Sequence, residues 1–214
     1  MTKEKQYIHY GCGLSAPKEW KNFDTSPTLR LQKLPLIGAL VKGRLNTVFP
    51  ENVLYGDIVK GLPLEENSCD AVYCSHVLEH LALKDFRTAL LNTYKILKPN
   101  GIFRCVLPDL EVICREYLKA VEGKDPNGSI NFMGKGSLLG LEERPKGIKG
   151  FLTSYLGNAK HLWMWDHVSL EMELSKVGFK NIRKASFNDS SEGAFKFVEN
   201  KDRFESAVAL EAVK

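Results

Sequence analysis

The sequence predicts an α/β domain built on a doubly wound, mostly parallel sheet with an antiparallel pair at one edge. Short apolar runs alternate with segments whose apolar residues recur at helical spacing, the pattern of βαβ units. The last two runs, 181–187 and 207–213, follow the final helical segment with no helix between them, which makes them the expected antiparallel pair. Composition agrees: 214 residues, 43% hydrophobic and 26% charged, suffice for one packed core and exclude a disordered or fibrous chain. A single domain over 1–214 is expected, with insertions at about 25–50 and 123–166.

Tyr7–Tyr10 reads as the first strand, stopped by Gly11-Cys12-Gly13. Pro17 suits the first turn of a short helix, where its missing N–H does no harm. Asn22–Asp24 is the second strand and Val53–Tyr55 the third, followed by Gly56-Asp57. Asp70–Cys74 is nearly continuous in apolar residues, as a central buried parallel strand should be. Helical spacing runs from Leu83 to Leu97 and ends at Lys98-Pro99-Asn100-Gly101, where proline stops a helix and glycine permits a left-handed turn. Ile102–Leu107 is the next strand, and Leu110–Val121 and Ser169–Val177 are helices, the last closed by Gly178. With the two late runs the sheet has seven strands.

Thirty Lys+Arg against 26 Asp+Glu give a net charge of +4, too even for a chain that wraps nucleic acid, so no nucleic-acid partner is expected. The cysteines Cys12, Cys69, Cys74, Cys105 and Cys114 form no CxxC pair and read as reduced, structural thiols of a cytoplasmic protein. The first residues hold no apolar stretch of signal-peptide length, and no run of about 18 apolar residues occurs that could span a membrane.

In a doubly wound sheet, ligands bind beyond the carboxyl ends of the strands, where strand order reverses. The loops expected there are Gly11-Cys12-Gly13, Asp24, Gly56-Asp57, Ser75-His76 through Glu79-His80, and Pro108-Asp109. The glycine turn serves either a tight strand-to-helix turn or the close approach of a ligand to bare backbone near helix N–H groups. Asp24 either accepts hydrogen bonds from both hydroxyls of a ribose or caps a turn, and Asp57 either reaches an adenine amino group or does the same. His76 and His80 are candidate proton carriers. Helical spacing would also place them as a metal pair, but no third ligand is evident and no metal is expected. The bland reading of Glu79 and His80 is a hydrogen-bonded loop.

Taken in order, Tyr10-Gly11-Cys12-Gly13, Asp24, Gly56-Asp57-Ile58, Leu62-Pro63, Ser68–Val72, His76-Val77-Leu78-Glu79-His80 and Leu97–Gly101 resemble class I S-adenosylmethionine-dependent methyltransferases of the small type 11 group. Val106–Glu111, His161-Leu162-Trp163-Met164-Trp165-Asp166, Ser169-Leu170 and Gly178-Phe179 look like a subgroup of predicted methyltransferases linked to cell-surface glycan genes. The resemblance implies a Rossmann-like fold and S-adenosylmethionine as cofactor. It also implies Gly11, Cys12 and Gly13 against the methionine part, Asp24 on the ribose, Asp57 and Ile58 on the adenine, and Ser75 and His76 bordering the cofactor. By the same resemblance His80 would lie nearer the methyl acceptor. Two departures stand out. His9 occupies the position where most relatives carry Asp or Glu, and Ser15 replaces a third glycine.

Residues 28–46 carry Arg30, Lys33, Lys42 and Arg44 and no acid. This stretch is a lid, a surface for anionic lipid or a lipid-linked substrate, or an amphipathic flap whose leucines join the core; Pro35 and Gly38 favour the flap. In the second insertion His161, Trp163, Trp165 and Asp166 are candidate contacts for a small-molecule or glycan-related acceptor. The alternative is that the tryptophans pack the insertion onto the domain and Asp166 caps the next helix. Two other functions remain open: a catalytically silent binding protein, and a nicotinamide-dependent oxidoreductase, since Gly11–Ala16 satisfies GxGxxA. Against the oxidoreductase, Asp24 lies thirteen positions beyond Gly11 where about 20 are expected.

Overall fold

The computed structural model describes residues 4–34, 47–136, 139–140, 146 and 160–214. Seven strands form one sheet: β1 (Tyr7–Tyr10), β2 (Lys21–Asp24), β3 (Val53–Tyr55), β4 (Cys69–Ser75), β5 (Leu97–Pro108), β6 (Lys180–Lys184) and β7 (Ala207–Val213). Their order is β3-β2-β1-β4-β5-β7-β6. β7 alone runs against its neighbours, pairing antiparallel with both β5 and β6. Strand order reverses between β1 and β4, so the crevice for a ligand opens at their carboxyl ends.

Helix α1 is Pro27–Gln32, α2 Leu83–Ile96, α3 Leu110–Glu122, α4 Gly128–Asn131 and α5 His167–Val177. α2 buries Phe86, Ala89, Leu90, Thr93 and Ile96, one helical stripe laid on the sheet. It packs beside α5, and Arg87 reaches the buried Glu173 through two hydrogen bonds of 2.8 Å. This face shares a core with Ile8, Tyr10, Val72, Cys74, Phe103 and Leu210. On the opposite face Trp20, Tyr73, Val106 and Phe195 cluster. No helix connects β1 to β2: residues 11–20 form turns, and Trp20 donates from Nε1 to the Ala194 carbonyl. The expected helix at Pro17 is therefore absent. Ten residues are consumed by the glycine turn and by bringing Trp20 down onto the sheet, leaving too few for a helix.

A buried arginine holds the late strands together. Arg104 on β5 is fully buried and is bound by Glu199, by Glu211 of β7 at 2.9 Å and by Asp189 at 2.9 Å. Its guanidinium also lies near the rings of Phe195 and Phe204.

β5 begins at Leu97 rather than at Ile102, because Leu97 already pairs with Cys69 across a register shift, and other boundaries differ too. β6 ends at Lys184 rather than at 187, because the Ser186 N–H bonds the Asp189 carboxylate and Asn188 turns left-handed at φ 60°. After α2 it is Asn100, at φ 65°, that takes the left-handed position rather than Gly101. Gly101 is needed instead for space, since a Cβ there would sit 2.8 Å from the Lys98 carbonyl oxygen. Cys12, Cys69, Cys74 and Cys105 are buried free thiols. No helix among the described residues is long and apolar enough to cross a membrane.

Candidate functional site

β1 and β2 run parallel side by side, so the glycine turn and Asp24 meet. The Gly13 N–H donates to Asp24 Oδ2 at 2.9 Å, and the Ser26 N–H donates to Oδ1 at 2.8 Å. The Asp24 carboxylate thus ties the turn to the cap of α1, with lone pairs left over. Gly11 and Gly13 both sit in the left-handed region, at φ 64° and 54°, which favours glycine. Their surroundings differ. A Cβ on Gly11 would lie 2.2 Å from a Val77 methyl, whereas nothing stands within 4 Å of one on Gly13. The close approach at Gly11 is therefore to the chain's own β4 loop, and only Gly13 presents bare backbone to open space. No helix follows, so the N–H groups of a helix start are not part of this cradle.

Next along the edge, Gly56 donates its N–H to the Asp24 carbonyl and leads into Asp57. Asp57 Oδ1 accepts from the Val59 N–H at 3.0 Å, and Oδ2 lies 3.4 Å from Lys60. That is the turn role, and it leaves the carboxylate half-exposed at the end of β3. Cys12 and Ile58 point their side chains inward, Cys12 among Leu29, Phe49 and Val53, and Ile58 into the main core. Burial pushes the Cys12 thiol up to about 12, leaving it a neutral thiol. These two residues can serve a ligand only through backbone.

His9 lies directly beneath the turn, buried on β1 between Asn22 and Tyr73. Burial lowers its pKa to about 4, with Asn22 and the Ser15 backbone partly opposing the shift. The ring is therefore neutral, and its Nδ1 has no hydrogen-bond partner. It can accept one hydrogen bond but supplies no negative charge.

Beyond β4, Ser75 is half-buried and His76 adopts a left-handed φ of 55°, a strained conformation for a residue with a side chain. The His76 Nε2–H donates to the Arg203 carbonyl at 3.0 Å, so Nδ1 is left as an acceptor. Burial lowers the pKa of His76. The short helical turn Leu78–His80 then points Glu79 inward. Burial raises the Glu79 pKa to about 8.

The second insertion returns to this loop. The Leu162 and Trp163 N–H groups donate to the Glu79 carbonyl at 2.8 and 3.1 Å, and His161 comes to rest with its ring centroid 5.1 Å from that of His80. Backbone pairing thus carries His161 across some eighty residues to the side of His80, a neighbour that no spacing in the sequence marks. Of the other expected acceptor contacts, Trp163 is 43% exposed. Trp165 is buried and stacked on Phe86 at 4.1 Å, and Asp166 caps α5 in a reciprocal bond with Ser169. Both are engaged in structure, and neither lines the adjoining cavity. Residues 35–46, most of the basic stretch read as lid, flap or lipid-facing surface, lie outside the described residues, as does most of 137–159.

That cavity, about 590 Å³, lies at the carboxyl ends of β4 and β5 under α3 and α4. His76, His161, Tyr117 and Phe132 line it together with Glu116, Asp125 and Glu205. Sequence reasoning missed these three acids: nothing in the periodicity of α3 marks which of its faces meets a cavity, and Asp125 and Glu205 lie in loops that only the fold brings there.

A sequence model of the family described as "Methyltransferase domain" matches residues 37–105, the stretch from before β3 into β5, and does not reach the glycine turn or Asp24. No curated protein matches the chain. Among solved structures, a methyltransferase of Thermotoga maritima described as SAM-dependent and a possible histamine N-methyltransferase superimposes with a TM-score of 0.52 at 18% identity, covering 100% of this chain and 84% of that one. A putative methyltransferase of Haloferax volcanii, solved with the Trm112 methyltransferase activator, gives 0.50 at 16%, covering 99% and 83%. At such identities the likeness is one of fold. The family model covers less than half of the chain, and the fold is the one these solved methyltransferases share.

Proposed function

We propose that this chain transfers a methyl group from S-adenosylmethionine to a hydroxyl-bearing small molecule, glycan-related in class. The observation that carries this reading is the unbroken row of half-exposed groups along one sheet edge. It runs from the open backbone of Gly13 through Asp24 at 2.9 Å to Asp57, and a cavity flanks it beyond β4.

When bound, the cofactor supplies a sulfonium methyl already activated for displacement. Gly13 would hold its amino-acid part through bare backbone, Asp24 would accept from the ribose hydroxyls, and Asp57 with the backbone of Ile58 would hold the adenine. Ser75 and His76 border that site on the far side of the strand-order reversal. His9, neutral and buried, offers the ammonium at most one accepted hydrogen bond, so affinity rests more heavily on the two aspartates.

What remains for the protein is alignment and exclusion of water. The cavity wall carries Glu116, Asp125 and Glu205, with no Lys or Arg among its described residues. Such a wall disfavours a phosphate or carboxylate acceptor by like-charge repulsion and suits an uncharged, hydroxylated one. A hydroxyl must lose its proton as it is methylated, and His76, on the cavity wall, is the base within reach. Its Nε2–H is tied to the Arg203 carbonyl, leaving Nδ1 free to accept.

Thermal-shift titration with S-adenosylmethionine, S-adenosylhomocysteine and nicotinamide nucleotides tests this reading. Stabilisation by the two adenosyl compounds alone is expected. Stabilisation by the nicotinamide nucleotides would overturn it, and no response to any of them would favour a silent binding protein.

A further inference from the structure

The Glu79 carboxylate is buried to 1% exposure, and neither oxygen has a hydrogen-bond partner among the described residues. Arg203 acts on it only through its charge, outside ion-pair distance, and the two ring nitrogens that face it within 4 Å are acceptors. A carbonyl can only accept, so the His80 Nδ1–H must donate to Lys160 and its Nε2 lone pair faces Glu79 Oε1 at 3.8 Å. By the same argument the His76 Nε2–H donates to Arg203, and its Nδ1 faces that oxygen at 3.6 Å. Lone pairs converging in a space shielded from water repel one another unless something positive sits between them.

We propose that Glu79, His80 and His161 hold a divalent first-row transition-metal ion at the wall of the acceptor cavity. One potential ligand atom from each lies within 4.8 Å of the others. Bonds of about 2.1 Å in tetrahedral geometry set ligand atoms roughly 3.4 Å apart, so loading draws the three together by about an ångström. Two imidazoles and one carboxylate suit Zn²⁺ and its neighbours rather than Mg²⁺ or Ca²⁺, which take oxygen ligands. The outer N–H of His80, fixed on a backbone carbonyl, is the arrangement that orients a histidine ligand and fixes its tautomer. His161 belongs both to the cluster and to the cavity wall. Three protein ligands therefore leave a coordination position open toward the cavity. On the methyl-transfer reading, and resting on it, that position takes the acceptor hydroxyl and lowers its pKa.

The test uses the full chain stripped with a chelator, then titrated with Zn²⁺ by calorimetry and with Co²⁺ by visible spectroscopy, in the absence of any cofactor. One Zn²⁺ per chain is expected, with a Co²⁺ spectrum free of thiolate charge transfer, which excludes the cysteines as ligands. Glu79→Gln and His161→Gln should each weaken Zn²⁺ binding by roughly 100-fold or more, at the top of or beyond the range for lost outer-shell support. Circular dichroism checks that both variants fold, and Cys114→Ser should bind as wild type. No stoichiometric binding by the folded wild type, or unchanged affinity in Glu79→Gln, would overturn the site and leave a proton on Glu79 as the occupant. Titration of the stripped protein with S-adenosylhomocysteine is read separately. Zn²⁺ binding without it would sink the methyl-transfer reading but not the metal site, and the reverse result would do the opposite.

Discussion

His9 makes the stability of the fold depend on pH in a calculable way. The side chain is 3% exposed, its ring centroid 5.3 Å from that of Tyr73, and burial holds its pKa at about 4 against an ordinary 6.5. Below 6.5 the unfolded chain takes up a proton that the folded chain refuses until about 4. Stability is therefore full above 6.5 and is lost as pH falls toward the lower value. Linkage puts the whole effect at about 3 kcal/mol, of which about 2 kcal/mol is gone by roughly pH 5. His9→Phe keeps a ring against Tyr73 and cannot titrate. Urea denaturation of both proteins at roughly pH 7.5 and pH 5 isolates the histidine, because every other titrating group is common to the pair. The wild type should lose about 2 kcal/mol more than the variant. Equal losses would mean that His9 is protonated in the folded protein, and the neutral imidazole beneath the glycine turn would have to be abandoned.

Other outcomes follow from particular contacts. Arg104→Met should destabilise the fold by about 3–5 kcal/mol in urea denaturation, since it strands Glu199 and Glu211 as buried charges; a loss under about 1 kcal/mol would show that water reaches them. Gly11→Ala should cost several kcal/mol in the same assay, through the left-handed φ and the Val77 clash together. Gly13→Ala should cost only about 1–2 kcal/mol of stability yet abolish S-adenosylhomocysteine binding, and an unaffected affinity would remove Gly13 from the cradle. Asp166→Ala should lower stability by about 1 kcal/mol, the scale of a lost helix cap, and leave the KM for any acceptor unchanged; a raised KM would restore Asp166 as an acceptor contact.

Much of this architecture can be read from residue patterns, because the buried strands announce themselves locally. Asp70–Cys74 is apolar on both sides of the pleat because β4 is covered on both faces, and Gly178 ends α5 at φ 111° as a C-terminal glycine should. What stayed hidden depends on distant partners. Arg104 reads as an ordinary strand residue until Asp189, Glu199 and Glu211 are brought around it. His161 is visible only as a polar residue near two tryptophans, and its place beside His80 comes from two backbone hydrogen bonds to Glu79 that no periodicity encodes. Pro17 misled for a related reason. It carries a valid helix-start signal, but the chain spends those residues seating Trp20 under Ala194. Along the edge, the strand ends carrying Gly13, Asp24 and Asp57 were readable. Which glycine faces open space was not, since that depends on where Val77 lies.

The central claim is that an adenosyl sulfonium lodges across the ends of β1 and β2. Calorimetric titration of S-adenosylhomocysteine into the wild type and into Asp24→Ala tests it most directly. One site per chain is expected, with Asp24→Ala weaker by roughly 1–3 kcal/mol, the scale of lost hydrogen bonds to a charged acceptor. Equal affinity in the two proteins, with both folded, would contradict it.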